Sequence, residues 1–460
     1  MLSIFSPRWR PIRTFSIKGH SVSQTRPRLL TTLAIESSCD DTAVAILSCP
    51  SRSPASLLFN ERISSDNRAF KGVHPAAAVI GHSTALAKLV RRAINHLPRP
   101  TDRQLSQTPS TGVSKLCYAD DGSPRLVPDF VSVTRGPGMT RNLGIGMDTA
   151  KGLSLAWNIP FIGVHHMQAH ALTPQLVTAL ASETSSPQPH FPFLSLLVSG
   201  GHTQLVLSSS LTSHSIIATS VDSAIGNVLD QTARLILPSS VIASSPDVMY
   251  GKMLESFAFP PDDLDPYDFF QPSASRGEET TDTPTGYDWT VPLPFRQSRE
   301  IAFSFSSIYS NVERITLAKP DMSLDERRAL ARHTLASSFR HLIGRICLAI
   351  EADPDTLLPA LRNSLVVAGG VASNRFLMHV LRETLKVRVP QLEGHLDVVS
   401  PPIALCTDNA AMIAWAGMKM FEDGWHTDLA ALPVPKWPMD PAHGSGLLGV
   451  SSWLRREGFD

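Results

Sequence analysis

Two stretches of this chain repeat one design. Leu33-Ala-Ile-Glu-Ser-Ser-Cys-Asp-Asp-Thr-Ala-Val-Ala-Ile-Leu47 and Phe193-Leu-Ser-Leu-Leu-Val-Ser-Gly-Gly-His-Thr-Gln-Leu-Val-Leu207 each set two apolar runs around a short polar turn. Each reads as a β-hairpin. The repeat lies in architecture and not in letters, and its copies stand about 160 residues apart. A chain built this way is constrained to an α/β fold of two similar lobes facing one cleft.

The remaining elements fit that plan. Val131 to Met139 is a strand running into a Gly-Pro-Gly turn, Asn142 to Trp157 a helix and Ile159 to Val164 a short buried strand. Ser364 to Phe376 reads as strand, Gly-Gly turn and helix start, and Ala410 to Met420 as an Ala/Met-rich helix. Pro98 to Pro128 and Pro260 to Pro294 lack apolar periodicity and are expected to be mobile surface loops.

At 460 residues the chain has room for two or three domains, and 42% hydrophobic residues suit a globular protein. Its 41 basic residues balance 41 acidic ones, so contact with a nucleic acid must come from a local patch. No apolar run reaches the length of a bilayer span, so no membrane partner is expected. The five cysteines are scattered, without a C-x-x-C pair, which fits a reducing compartment. Before Glu36 there is no acidic residue, whereas Arg8, Arg10, Arg13, Lys18, Arg26 and Arg28 alternate with Ser, Thr and apolar residues. That composition is that of a mitochondrial transit peptide over residues 1–30; the competing reading is a basic arm that touches RNA.

Three groups of residues carry candidate chemistry. In His165-His-Met-Gln-Ala-His170 a helix places His166 and His170 at i and i+4 on one face, where two imidazoles reach one metal. The bland alternative is a pair of hydrogen-bonded buried histidines. Asp408 offers a third, oxygen ligand, although it also suits the N-cap of the helix from Ala410. The turns Ser199-Gly200-Gly201 and Gly369-Gly370 follow strands, where backbone amides approach a phosphate without a Cβ in the way. Glu36, Asp40, Asp41, Asp222 and Asp230 form an acidic set, of which Asp40 and Asp41 sit in the hairpin turn that faces the cleft and are the candidates to accept a proton. Arg135, Arg141 and Arg375 flank Gly turns or helix starts and are candidates for phosphate or RNA contact, or simply solvated surface.

Read in order, Ile35 to Thr42, Arg135-Gly-Pro-Gly-Met139, His165 to His170, Leu197-Val-Ser-Gly-Gly-His-Thr203, Ala368 to Arg375 and Cys406-Thr-Asp-Asn409 resemble the motifs of the tRNA threonylcarbamoyladenosine transferases, especially their stand-alone mitochondrial branch. The resemblance runs from about residue 31 to 425 and is specific as a set. It implies an actin/Hsp70/sugar-kinase-like fold, with two RNase H-like lobes around a nucleotide cleft. The N-terminal lobe then spans 31–168 together with helices at 404–425, the C-terminal lobe 169–403, and a tail 426–460. It implies one divalent metal ion, iron or zinc, on His166, His170 and Asp408. It implies an adenylate site formed by Leu197, Val198, Ser199, Gly200, Gly201, Asp230 and Asn374. The implied donor is threonylcarbamoyl-AMP made by a separate synthase. The implied acceptor is the adenosine just 3′ of the anticodon in mitochondrial tRNAs reading codons that begin with A, and the implied assembly a homodimer in the mitochondrial matrix.

The chain departs from the family pattern in three places. Ser245 to Gly251 stands where a Pro-Gly-Gly-Pro turn is expected, Phe303 to Ser310 loses a Gly and a Lys, and Pro75 to His82 lacks a Glu after its Pro. The changes spare the metal residues and fall where donor or tRNA is to be held. Two other readings compete. A metal-dependent glycoprotein endopeptidase needs a water-activating base beside the metal, yet Met167 follows His166 where the H-E-x-x-H pattern has Glu. A non-catalytic ATP-binding protein of the same fold keeps the Gly turns but has no use for His166 and His170.

Overall fold

The computed structural model describes residues 29–456, apart from 51–53, 71, 106–114, 182–186, 246–247, 262 and 264–265. The targeting segment expected over 1–30 therefore lies, up to residue 28, outside the described residues.

Two sheets follow one strand plan. In the first, Leu30–Glu36, Asp41–Cys49 and Ser56–Ser64 run antiparallel in succession, and Phe130–Gly136 and Phe161–His165 add in parallel on the other side of Leu30–Glu36. In the second, Phe193–Val198, Thr203–Ser208 and His214–Thr219 are the antiparallel succession, and Leu365–Ala368 and Val398–Val399 add in parallel beside Phe193–Val198. Both hairpins expected from the sequence form, and the duplication extends to the order of all five strands of the second sheet, the first sheet carrying two more at one edge. This is the two-lobed actin/Hsp70/sugar-kinase-like arrangement.

Residue size decides which helices cover which face. Along the first hairpin Leu33, Ile35, Val44 and Ile46 pack outward on Leu86, Leu89 and Met147 of the helices Pro75–Ile94 and Thr140–Trp157. Their alternates Ala34, Ala43 and Ala45 face the other way, toward the helix Ala410–Glu422. Small residues on both partners let helix and sheet approach closely: a Cβ on Gly417 would run into Ser132. The helix His166–Ala181 lies in the same layer, and the inner residues Leu197, Val206 and Val366 of the second sheet close it from the far side. The lobe boundary expected at 168 thus falls inside a helix of the layer shared by the two sheets.

Two expectations are corrected. The segment expected to be a tail, described up to residue 456, adds strands to the first sheet: Trp425–Thr427 pairs antiparallel with Phe161–His165, and Trp453–Arg455 pairs with it in turn. Arg135 fixes this segment, donating from Nε to Leu432 O at 3.0 Å and from Nη2 to Ser451 O at 2.9 Å. Pro260 to Pro294, expected to be a mobile loop, carries buried Phe270, Glu279 and Trp289: Phe270 packs on Phe376 and His379, while Glu279 and Trp289 anchor on the helix Leu324–Ala352. Trp289 Nε1 donates to Glu326 Oε1 at 2.9 Å, and Gly344 lacks a Cβ where the Glu279 carboxylate sits. Single anchors spaced along an irregular segment leave no period to read. The other proposed loop, Pro98 to Pro128, carries a short hairpin of Leu116–Tyr118 with Pro124–Leu126. Among the described residues no helix is long and apolar enough to cross a membrane.

Candidate metal centre and nucleotide cleft

The strand Phe161–His165 passes directly into the helix His166–Ala181, and His165 makes the junction. Its Nδ1 accepts from the amides of Met167 and Gln168 at 3.2 and 3.4 Å, while Nε2 donates to Trp437 O at 2.7 Å. Burial pushes its pKa down to about 3, so this ring is neutral and spoken for. His166 and His170 remain, one turn apart, with ring centroids 4.7 Å from each other.

Asp408 comes to them from the turn before the helix Ala410–Glu422. Asn409, not Asp408, caps that helix, accepting from Met412 N at 3.0 Å, which leaves the Asp408 carboxylate for the cleft. Asp408 Oδ1 lies 3.4 Å from His166 Nε2 and 3.2 Å from His170 Nε2. One donor atom from each residue falls within 4.8 Å of the others, a set that could hold a metal ion.

The electrostatics suit a cation. Burial disfavours charge on Asp408, yet His166 and His170 hold its carboxyl well below the usual range. Burial likewise opposes a proton on His166, but Asp408 and Glu36 outweigh it and lift that ring to about 10. Glu36, fully buried, and Asp408, half-buried, thus demand positive charge at this point, which a divalent ion would meet in place of the proton. His170 Nδ1 is buried without a hydrogen-bond partner among the described residues.

The acidic turn lies over this cluster. Its backbone is clamped at Cys39 O, which accepts from His82 Nε2 at 2.9 Å and also from Asn142 Nδ2. Nε2 of His82 must therefore carry the proton, and Nδ1 accepts from Thr42 Oγ1 at 2.8 Å. On the other flank Met139 N donates to Ser38 O at 2.9 Å, and a Cβ on Gly138 would come within 2.7 Å of that oxygen. The Gly-Pro-Gly turn is thus the seat of the acidic turn. Asp40 accepts from Asn67 Nδ2 at 2.9 Å, and burial raises its pKa. Burial lifts Asp41 further, to about 7, against the pull of Arg62 and with a push from Asp408. Arg62 Nη1 stands 3.2 Å from Asp41 Oδ2 and 2.6 Å from Thr407 Oγ1, tying the acidic turn to the Asp408 loop.

The two Gly turns meet each other. Gly369, at φ 101°, lies so close to the Val198 carbonyl that no Cβ fits. Gly226, opening the helix Ile225–Ile236, would bring a Cβ within 2.7 Å of Ser199. Gly200 and Gly201 instead face open space. Leu197 and Val198 are buried strand residues whose side chains lie in the core on either side of the second sheet. Asp230 accepts from Gly251 N at 2.6 Å, so the altered stretch 245–251, of which 246–247 lie outside the described residues, still sets a glycine beside Asp230. Asn374 is buried and caps the helix Arg375–Arg388 through Leu377 N at 2.8 Å.

Other candidates have structural work. Asp222 accepts from Ser304 Oγ and from the amides of Phe305 and Ser306 at 2.7 to 3.1 Å, pinning the altered segment 303–310. Arg135 belongs to the C-terminal strands described above, whereas Arg141 and Arg375 are exposed. Sequence reasoning missed His82, Arg62 and His202. Burial, then the charge of His166 and His170, pushes His202 down to about 4, which sets it beside the same cluster. Its place directly after Gly201 was the available signal.

The sequence model of the tRNA N6-adenosine threonylcarbamoyltransferases matches residues 127–415. The chain is 32% identical over 440 residues to the mitochondrial tRNA N6-adenosine threonylcarbamoyltransferase of Schizosaccharomyces pombe, covering 94% of this chain and 90% of that one. It is 31% identical over 431 residues to the tRNA N6-adenosine threonylcarbamoyltransferase of Brucella ovis, covering 91% and 99%. Among solved structures, full-length HypF in its phosphate- and nucleotide-bound form superposes at a TM-score of 0.44 and 13% identity, over 87% of this chain and 47% of that one. With most of its length matched and its paired lobes in place, the chain belongs to the tRNA N6-adenosine threonylcarbamoyltransferase family, a family of transferases.

Proposed function

We propose that the protein transfers a threonylcarbamoyl group from threonylcarbamoyl-AMP to N6 of the adenosine 3′ of the anticodon in mitochondrial tRNAs reading codons that begin with A. The observation that carries the reading is the convergence of His166, His170 and Asp408 beneath a clamped turn holding Asp40 and Asp41. An exocyclic adenine amine is a weak nucleophile, so the acyl group must arrive activated, as a mixed anhydride with AMP. In the step the N6 nitrogen forms a bond to the carbamoyl carbon, the anhydride C–O bond breaks, and AMP leaves with the electron pair.

Each group in the cleft has a part. His166, His170 and Asp408 would hold one divalent ion, iron or zinc, which supplies positive charge against oxygens of the donor. The open space beside Gly200 and Gly201, at the turn that begins with Ser199, receives the AMP phosphate, with Asp230 and Asn374 bordering the nucleotide and Leu197 and Val198 contributing backbone. Asp40 or Asp41 takes the amine proton, Asp41 being the better poised because its pKa lies near neutrality. Met167 is packed in the core where a metallopeptidase would need its base, which disfavours peptide hydrolysis. The enzyme works in the matrix as a homodimer, supplied with donor by a separate synthase. Mass spectrometry of nucleosides from mitochondrial tRNA tests the reading: deletion of the protein removes threonylcarbamoyladenosine there and spares it in cytosolic tRNA. Full retention of the modification in mitochondrial tRNA refutes it.

A further inference from the structure

We infer that Glu36 is the positioning residue of the metal centre, holding His166 in the one tautomer and orientation that present Nε2 to the ion. The inference rests on the metal reading of His166, His170 and Asp408. Glu36 ends the strand Leu30–Glu36 and has no exposed surface. Its Oε2 lies 3.2 Å from His166 Nδ1 and accepts from Thr134 Oγ1 at 2.5 Å, while Oε1 accepts from Ser38 N at 2.6 Å.

A fully buried carboxylate is costly unless its lone pairs are taken up, and here three donors take them up. A ring that binds metal through Nε2 must keep its proton on Nδ1, and that proton needs an acceptor. Ser38 Oγ, at 3.4 Å, is the other polar atom recorded near Nδ1 and is farther away. Glu36 therefore fixes the tautomer, stops the ring from flipping and raises the donor strength of Nε2. His170 lacks such an anchor, since its Nδ1 has no hydrogen-bond partner among the described residues. The two histidines are unequal: His166 is held ready, and His170 completes the set.

Glu36→Gln separates this role from simple filling of space. Gln keeps the shape but replaces one of the two acceptor oxygens by an NH2 group that faces donors. The experiment measures zinc affinity of the full chain by competition with a chromophoric chelator, with far-UV circular dichroism as the check on folding. Wild type is expected to take up one zinc, and Glu36→Gln to bind it ~10–100-fold more weakly with the fold retained. In a His166→Ala background the same substitution should cost nothing further, because its route to the metal is gone. Unchanged affinity in Glu36→Gln overturns the inference, as does an equal loss with and without His166. Should Glu36→Gln not fold, Glu36→Asp decides: it keeps the charge but withdraws the carboxylate by one methylene, and undiminished affinity would overturn the inference. Absence of zinc binding in the wild type would overturn the metal reading itself, and this inference with it.

Discussion

His166 and His170 announced themselves by their i, i+4 spacing, whereas Asp408 lies 238 residues beyond His170 and was legible only through the motif around it. That spacing was legible because a helix imposes it. The capping role open to Asp408 falls to its neighbour, since Asn409 accepts from Met412 N. Glu36 was legible only as one of five acidic candidates, and what stayed hidden was the support: Glu36 to His166, His82 to Thr42 and Asn142 to Cys39 meet across 40 to 130 residues of chain, and no local period marks such contacts. Removing one of three ligands leaves an ion poorly held, so His170→Ala should lose most of its bound metal by elemental analysis, and full stoichiometry would make the histidines structural. Asp41 sets a pH dependence. Its carboxyl is raised from 3.8 to about 7, so the associated stabilisation is full below 3.8 and is lost as pH climbs through about 7. Proton acceptance needs the ionised form, so kcat/KM for transfer should rise through about pH 7, and Asp41→Asn should abolish that limb. A limb that persists in Asp41→Asn assigns the proton elsewhere. Gly200→Val places a branched side chain in open space, so stability should change by no more than about 0.5 kcal/mol while AMP binding falls. Wild-type AMP affinity in that variant would move the phosphate away from this turn.

At the level of elements, the strands and the helices of the central layer were readable because each is a run of one period between turn residues. The strand Trp425–Thr427 and its partner Trp453–Arg455 were not, being three residues each and dependent on a sheet edge that the sequence does not display. The packed insertion was hidden for the same reason, because Glu279 finds Arg388 only in three dimensions, at 3.2 Å with both side chains 4% exposed. Glu279→Ala leaves Arg388 buried without one of its carboxylate partners, and should destabilise the second lobe by about 3–5 kcal/mol in denaturant unfolding. A loss below about 1 kcal/mol would mean that Pro260 to Pro294 is not anchored there. The Gly417 contact makes the complementary case: Gly417→Leu forces the helix Ala410–Glu422 off Ser132 and should cost about 1–3 kcal/mol, lowering metal occupancy as well because Asp408 sits in the turn that leads into that helix.

The described residues form two sheets of one strand plan with a helical layer shared between them, and His166, His170 and Asp408 converge where that layer meets the acidic turn. Balanced charge leaves tRNA recognition to local basic groups and anticodon-loop shape, so binding should weaken with salt less steeply than for a strongly basic protein. The acid-free start should carry a reporter fused to residues 1–30 into mitochondria, and a reporter that stays cytosolic would refute the targeting reading. The central claim is the reaction, and one measurement addresses it without intermediaries. Purified protein is supplied with threonylcarbamoyl-AMP made from labelled threonine, a divalent metal and mitochondrial tRNA, and label on the tRNA is counted against AMP released. The account predicts one label on N6 of the anticodon-adjacent adenosine per AMP, and none when donor, metal or tRNA is withheld. A metal-loaded, nucleotide-binding preparation that leaves the tRNA unlabelled while cleaving a glycoprotein would contradict it.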